Sequence, residues 1–369
     1  MKITVDRDAL LAQLQSVARV ASTRSAIQAL SGVQLLASSA GTELRATDTD
    51  VSLRVPLAAE VEREGTVVIP ARLFLDVVRS LPVKQVSLEL RGAEQDVQLV
   101  SGNATFNIRT LHADDFPPFP DPDPASAISV PAKDFVDTAL KVAGSASHDE
   151  TRPVLTGILV SAAEDKVRMV ATDSYRLSVK ETTLEQPLSS AFQAIIPARA
   201  LQELARLAAH AEDQGLTVSV RQNQVIFVLG QVVLISRLID GQFPNDRALI
   251  PDSFEHDLRI SAAELRDVVR RISLLAQKNA PLRLSFQSGE LMISAQTPDI
   301  GEARESLPVP FQGDPFEIGF NPEYLRDGLD AIDEGDVLVR LISSLRPGLL
   351  QSGDGSGFTY LIMPIRLNN

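Results

Sequence analysis

The sequence contains no cysteine and no tryptophan, and only 5% of its 369 residues are aromatic. The missing cysteine excludes a disulfide framework and a thiolate metal site, and the scarcity of aromatic rings disfavours a base-stacking platform. No apolar run approaches the ~18 residues that a membrane span needs. The N-terminus alternates like a strand and shows no signal-peptide pattern. We therefore expect a cytoplasmic protein without membrane association.

Residue patterns for chemistry are equally scarce. No two histidines have metal-ligand spacing, and no glycine-rich phosphate loop occurs. His148-Asp149-Glu150 has the residue types of an acid–base pair, so a hydrolase is one alternative. A polar loop beside Arg152 is the simpler interpretation. We expect no catalysis, no metal and no cofactor.

Internal repetition is the main positive feature. Several short motifs recur at offsets of 125 to 127 residues: Ala46-Thr47-Asp48 with Ala171-Thr172-Asp173, Ile69-Pro70-Ala71 with Ile196-Pro197-Ala198, and Phe116-Pro117 with Phe243-Pro244. A fainter third copy has Leu291–Gln296 and Asn321-Pro322. The period predicts three domains of similar size, 1–122, 123–248 and 249–369. The recurring Thr-Asp pairs suggest turns in which aspartate bonds nearby backbone.

Each repeat has an α+β pattern, with two amphipathic helices among alternating strands. Asp6 is placed to cap the first helix. Leu73, Phe74, Val77, Val78 and Leu81 form the predicted buried stripe of the second. The predicted helices are Asp8–Ala21, Ala71–Leu81, Ala132–Ala143, 198–207, Ala262–Ala276 and Tyr324–Ile332.

Two connections and the chain end have their own patterns. Residues 113–124 hold five prolines in eight positions, which predicts a stiff linker, and Asp240–Pro251 is the matching second linker. The last strand, Phe358–Ile365, contains Pro364, so we expect it at a sheet edge. The apolar segment Tyr360–Leu367 is either an ordinary final strand or part of a groove for another protein's peptide.

Charge is unevenly distributed. The net charge is −13, yet the predicted helices carry eleven basic and ten acidic residues, counting Glu323 at the start of the last helix, so the acidity lies on strands and loops. Arg72 and Arg79 are seven apart, as are Arg199 and Arg206, so each pair shares a helix face. Tyr324 and Ala331 take those places in the third repeat. The alternative is an ordinary solvated helix surface, with Asp76 and Glu203 pairing locally.

These residues together resemble the bacterial sliding-clamp family, the beta subunit of DNA polymerase III. The resemblance covers the whole chain, and its motifs are Met1–Val5 with Leu10-Leu11 and Arg24, Ile69–Arg72, Thr110–Pro117, Val170–Leu177, Asp240–Pro244 and Met363–Leu367.

The resemblance implies three tandem clamp domains, with helices lining the inside and antiparallel sheets outside. Two such chains would join head to tail into a ring around double-stranded DNA of any sequence. The implied function is a non-catalytic processivity factor that tethers the replicative polymerase. Other partners would be the clamp loader, further polymerases and repair proteins, bound through short linear peptides. A monomeric peptide-binding scaffold without a DNA role is the remaining alternative.

The resemblance also implies three sets of site residues. The peptide groove between domains two and three would use Leu155, Thr172, Ser174, Tyr175, Arg176, Leu177, Pro244, Ala248, Leu249, Leu345, Leu361, Ile362, Met363, Pro364, Ile365 and Arg366. The DNA contacts would be Arg24, Arg72, His148, Arg152, Arg199 and Lys278. The dimer interface would use Phe106, Leu274, Glu302 and Glu305.

This chain departs from the family pattern in three places. Ser174 and Tyr175 stand where the family usually has Gly and His, so we expect the aromatic ring to narrow or reshape the groove. Asn103 and Thr105 replace residues that are often basic, so we expect fewer ion pairs at the dimer edge. Pro153-Val154 replace the aromatic residues that often occupy the loop near Arg152.

Overall fold

The structure is a computed structural model, and it describes residues 1–22, 25–120, 127–209, 215–276, 280–298 and 300–367. Arg24, Lys278, His210 and the 121–124 part of the first linker lie outside these ranges. None of the helices in the described residues is long and apolar enough to cross a membrane.

Six α-helices occur in the described ranges, two in each sequence repeat, as predicted. Asp6 caps the first, because its carboxylate accepts hydrogen bonds from the amides of Asp8 and Ala9 at 2.9 and 3.0 Å. The helices are α1 (Arg7–Val17), α2 (Ala71–Ser80), α3 (Ala132–Ala143), α4 (Ala198–Ala208), α5 (Ala262–Ser273) and α6 (Pro322–Asp330).

The strands fall into six four-stranded groups, two per repeat. In each group the first strand leads directly into a helix, and the other three strands follow that helix. Among the described residues, only the first repeat has an extra strand, β5, which the sequence did not predict. The strands are β1 (Lys2–Asp6), β2 (Gly32–Ser38), β3 (Gly41–Thr47), β4 (Val51–Leu57), β5 (Ala59–Arg63), β6 (Gly65–Pro70), β7 (Gln85–Arg91), β8 (Asp96–Ser101), β9 (Ala104–Arg109), β10 (Ala127–Pro131), β11 (Gly157–Ala163), β12 (Lys166–Thr172), β13 (Arg176–Thr183), β14 (Phe192–Pro197), β15 (Gly215–Arg221), β16 (Gln224–Leu229), β17 (Val232–Arg237), β18 (His256–Ser261), β19 (Leu282–Gln287), β20 (Glu290–Thr297), β21 (Gly301–Pro308), β22 (Phe316–Phe320), β23 (Asp336–Leu341), β24 (Gly348–Ser352) and β25 (Phe358–Ile362).

The last strand of each group, here called its joining strand, connects groups into larger sheets. The sheets run β10-β15-β16-β17-β4-β3-β2-β6 and β14-β11-β12-β13-β25-β24-β23-β18, so both eight-stranded sheets cross a repeat boundary. Their joints are the antiparallel pairs β17–β4 and β13–β25. The remaining joining strands, β9 and β21, end the sheets β5-β1-β7-β8-β9 and β21-β20-β19-β22.

Two compact units result, and they differ from the sequence repeats. One unit comprises Met1–Ala132 and Arg206–Leu238, and the other comprises Lys133–Ala205 and Ile239–Asn369. Repeat two is therefore divided, with β10 and β15 to β17 in the first unit and β11 to β14 in the second. In the second unit the helices α5 and α6 cover a core that includes Phe286, Leu329 and Tyr360.

Two sequence predictions are wrong. The last strand ends at Ile362 and lies between β13 and β24, in the interior of its sheet rather than at an edge. Pro364 follows the strand because it lacks the N–H that the ladder requires. Leu73 is 50% exposed, since the buried face of α2 is formed by Phe74, Val77 and Val78 at helical spacing.

A glycine in α6 gives a test of this core. An added Cβ at Gly328 would lie 2.5 and 2.6 Å from two ring carbons of the buried Tyr360. We expect Gly328→Ala to lower the free energy of unfolding by about 2 kcal/mol, because overpacking outweighs the gain in helix propensity. Thermal unfolding of the full chain measures the effect. Gly144→Ala is the control, since nothing lies within 4 Å of its added Cβ, and equal midpoints for both variants would contradict the close packing.

Candidate functional site

A tight turn from Thr172 to Arg176 forms one part of the candidate groove. The carboxylate of Asp173 accepts hydrogen bonds from the amides of Tyr175 and Arg176 at 2.9 and 3.0 Å. The hydroxyl of Thr172 donates to the carbonyl of Arg176 at 2.6 Å. Ser174 has φ of 81°, a left-handed conformation that is uncommon for residues other than glycine. Tyr175 is thereby held outward at the tip.

The same turn occurs in the first repeat. The carboxylate of Asp48 accepts from the amides of Asp50 and Val51, and the hydroxyl of Thr47 donates to the carbonyl of Val51 at 3.0 Å. Thr49 has the same φ of 81° as Ser174. The prediction that the recurring Thr-Asp pairs form turns is therefore confirmed.

The turn lies against the chain end at the β13–β25 joint. Leu177 pairs with Leu361, and the amide of Met363 donates to the carbonyl of Tyr175 at 2.8 Å. Beneath them is an apolar cluster that also contains Leu349 of β24. Phe243 and Ile250 of the second linker pack on this cluster. One side-chain cluster thus brings together the turn, the chain end and the second linker.

The surface here is unusually apolar. Ten large apolar side chains are exposed in the described residues, and four of them belong to the predicted groove. These four, between 42% and 63% exposed, are Tyr175, Leu249, Leu345 and Met363. Several exposed apolar side chains in one predicted site are typical of a surface that binds another molecule.

Apart from Ser174, which is exposed in the turn, the other predicted groove residues divide into three classes. Leu155, Thr172, Leu177, Leu361 and Ile362 are buried and form supporting structure. Pro244, Ala248, Pro364, Ile365 and Arg366 are half-buried or exposed in the two flanking segments. Arg176 differs, because it is buried and its guanidinium binds Asp173 and Asp327. Leu349, Phe243 and Ile250 were not predicted, although the adjacent apolar pair Leu349-Leu350 was a signal for a buried position.

The loop from His148 to Arg152 is held by its own side chains. Asp149 accepts hydrogen bonds from Thr151 and Arg152, and the hydrogen bond from the Thr151 hydroxyl is the main cause of its lowered pKa. A general acid needs the opposite shift. Arg152 also donates to the Ser174 hydroxyl at 3.0 Å, so this loop contacts the turn. Asp149 therefore holds this loop together through its hydrogen bonds.

The helices keep the predicted charge balance, with eleven basic and ten acidic residues within their observed bounds. Arg72 and Arg199 are exposed at the second position of α2 and α4. Arg79 lies 3.6 Å from Asp76, so local pairing also occurs. In the third repeat the equivalent residues are Glu323 and Asp330 rather than Tyr324 and Ala331. The shift arises because Asn321 caps α6 and places Pro322 inside its first turn.

The predicted dimer residues lie at the two free joining strands and beside them. Phe106 is half-buried on β9, and Glu302 is exposed on β21. Leu274, just after α5, is 82% exposed, the most exposed of the large apolar side chains described. Glu305 of β21 binds Arg271 at 2.6 Å, and that hydrogen bond lowers its pKa. Glu305 is thus already paired within the chain, which the sequence did not indicate.

Comparison with known families gives one consistent result. Three family models match in order: the DNA polymerase III beta subunit N-terminal domain over residues 1–120, its central domain over 129–245 and its C-terminal domain over 247–366. Curated relatives match at full length. The chain is 34% identical to a beta sliding clamp of Streptomyces coelicolor, with 100% of each chain covered. It is 29% identical to that of Bacillus subtilis, with 99% of this chain and 100% of the relative covered.

Solved structures agree in fold. The DNA polymerase sliding clamp of Bacillus subtilis superposes with a TM-score of 0.92 at 28% identity, over 100% of both chains. A sliding clamp of Pseudomonas aeruginosa, solved bound to griselimycin, gives a TM-score of 0.89 at 30% identity, again over 100% of both chains.

Proposed function

The chain belongs to the DNA polymerase III beta-subunit family, the beta sliding clamps, and we propose that it works as a ring of two copies around double-stranded DNA. In this proposal it catalyses no reaction and holds the replicative polymerase on DNA in the cytoplasm. Its three clamp domains span 1–122, 123–248 and 249–369. The clamp loader, other polymerases and repair proteins would bind through short peptides.

The open joining strands carry the proposal of a ring. Four of the six joining strands pair with one another inside the chain, and β9 and β21 end their sheets. Exposed strand edges favour pairing with another chain. A second copy placed head to tail would pair its β21 with β9 and so repeat the internal joint. Two such contacts close a ring with twofold symmetry.

The helices next to these strands support the same contact. Leu73, Ala200 and Tyr324 are the third residues of α2, α4 and α6. Ala200 is fully buried, and the Tyr324 ring lies under the Arg176 guanidinium at 4.2 Å. Of these three residues only Leu73 is exposed, and it belongs to the repeat that ends in the open strand β9. A partner copy would cover it, together with Phe106 of one chain and Leu274 and Glu302 of the other.

The charge distribution supports DNA as the encircled partner. The helices are close to neutral, whereas the rest of the chain carries the acidity. A ring holds DNA by topology, so a few sequence-independent phosphate contacts are sufficient and sliding remains easy. We assign such contacts to Arg72, Arg199, His148 and Arg152. Arg24 and Lys278 are assigned with them from the sequence.

The apolar groove supports the binding of partner peptides. Its exposed side chains can bury an apolar anchor of a short linear segment, and its backbone is held by the turn and the chain end. We propose that Tyr175 narrows the groove and selects among peptides. Griselimycin, found on the Pseudomonas aeruginosa clamp, is a second probe for this surface.

The dimer contact is tested by Leu274→Asp. A charged side chain in the buried centre of the interface should shift the full-length protein from two chains to one at micromolar concentration, since a buried unpaired charge is strongly unfavourable. Sedimentation velocity measures the mass. Leu345→Asp, in the groove, is the control and should stay dimeric. A wild-type mass of one chain would support the monomeric scaffold instead.

The DNA contact is tested by retention on circular DNA. Arg72→Glu combined with Arg199→Glu should shorten the lifetime of loaded clamps, because the repulsion from phosphate rises, and the loss should shrink at high salt. Arg259→Glu, on an exposed strand position, is the control. Gel filtration of labelled clamps gives the lifetime. Equal retention of the wild type on linear and circular DNA would contradict encirclement.

The groove is tested with a fluorescein-labelled peptide from the tail of the organism's own replicative polymerase. Leu345→Asp should weaken binding about tenfold or more, because it replaces apolar contact surface with a charge. Fluorescence anisotropy gives the Kd, and unlabelled griselimycin should compete. Leu274→Asp should bind the peptide like the wild type. An unchanged Kd for Leu345→Asp would remove this surface from peptide binding.

A further inference from the structure

Two turns of equal backbone geometry carry different residues at their last position, and that difference points to a function. The turn at Thr47–Val51 and the turn at Thr172–Arg176 share the same hydrogen bonds and the same φ at the third residue. The first turn forms with Val51 in its last position. The second has Arg176 there. An arginine is therefore unnecessary for making the turn, so Arg176 has another role.

Arg176 attaches the turn to a helix far along the chain. Its guanidinium donates to Asp173 at 3.0 Å and to Asp327 of α6 at 2.5 Å. The guanidinium lies over the Tyr324 ring at 4.2 Å from the centroid. The hydroxyl of the buried Tyr360 donates to the carbonyl of Tyr324 at 2.7 Å, which fixes the start of α6 against β25. Arg176 is only 8% exposed, so most of its side chain is used inside the protein.

The position of the turn determines where the exposed side chains at the entrance of the groove lie. The carbonyl of Tyr175 accepts the amide of Met363, and the side chains of both residues are among the exposed apolar ones. Arg152 also donates a hydrogen bond to the Ser174 hydroxyl of the same turn. A shift of the turn would move Tyr175 relative to Met363 and Leu345. Binding sites depend on such supporting contacts to keep contact residues in place.

We propose that Asp327 is a positioning residue for peptide binding, acting through Arg176 to hold the Tyr175 turn in its binding geometry. This inference rests on the peptide-binding function proposed above. It also reassigns Arg176 from a peptide contact to the link between the groove and α6. Asp327 is not one of the predicted groove residues, and it belongs to a different repeat from the turn.

The test compares Asp327→Asn with Asp330→Asn in the full-length dimer. Asp330 is on the same helix and pairs with Arg266 at 3.5 Å, away from the turn. We expect Asp327→Asn to weaken the labelled polymerase-tail peptide about tenfold, the usual effect of losing one charged hydrogen bond. Asp330→Asn should leave the Kd unchanged. Asp327→Glu should restore part of the affinity.

Hydrogen exchange separates positioning from general destabilisation. In Asp327→Asn we expect faster exchange at the amides of Tyr175, Arg176 and Met363, with the strands β18 to β24 protected as in the wild type. Uniformly faster exchange across the second unit, together with a lowered melting temperature, would overturn the inference. If Asp327→Asn does not fold, Arg176→Lys, which keeps the charge but loses the paired geometry, takes its place.

The outcomes distinguish this inference from the proposed function. A wild-type chain that binds neither the peptide nor griselimycin would refute the peptide-binding function itself. Wild-type binding with an equal Kd for Asp327→Asn would leave that function standing and remove only the role of Asp327.

Discussion

Pairing between joining strands is the interaction on which the rest of the structure depends. Backbone N–H and C=O groups at a strand edge need partners. Four of the six joining strands find them across repeat boundaries, in the pairs β17–β4 and β13–β25. Each boundary is consequently bridged by a continuous eight-stranded sheet. The same rule leaves β9 and β21 open, and a second copy satisfies them in the proposed ring.

The groove is a consequence of one such joint. Where β13 pairs with β25, the turn before β13 and the segment after β25 emerge side by side, with the second linker packed beside them. The β17–β4 joint has the same pairing and the same turn. At the first joint Phe119 of the first linker packs on Ile226, Val233 and Ile235. The two joints thus share a backbone arrangement but differ in their surfaces. Their side chains determine which joint has an exposed apolar site.

Charge divides along the same architecture. The six helices together carry almost no net charge. The negative charge of the chain lies on its strands and loops. In the proposed ring, an acidic chain would therefore present nearly neutral helices to DNA. The acidic residue at the sixth position of each second helix shows how context changes a role. Asp76 pairs with a neighbour on its own helix, Glu203 is buried, and Asp327 binds an arginine of another repeat.

The sequence by itself determined the repeats, the six helices and most strands, because periodicity, caps and turn chemistry act over a few residues. It also predicted the Thr-Asp turns and the apolar chain end. The tertiary structure alone decided which strands pair across repeats, and so placed β25 inside a sheet. It likewise decided that Leu73 is exposed and that Arg176 binds Asp327, 151 residues away. Such contacts depend on burial and pairing between distant segments, and local sequence patterns carry no information about distant partners.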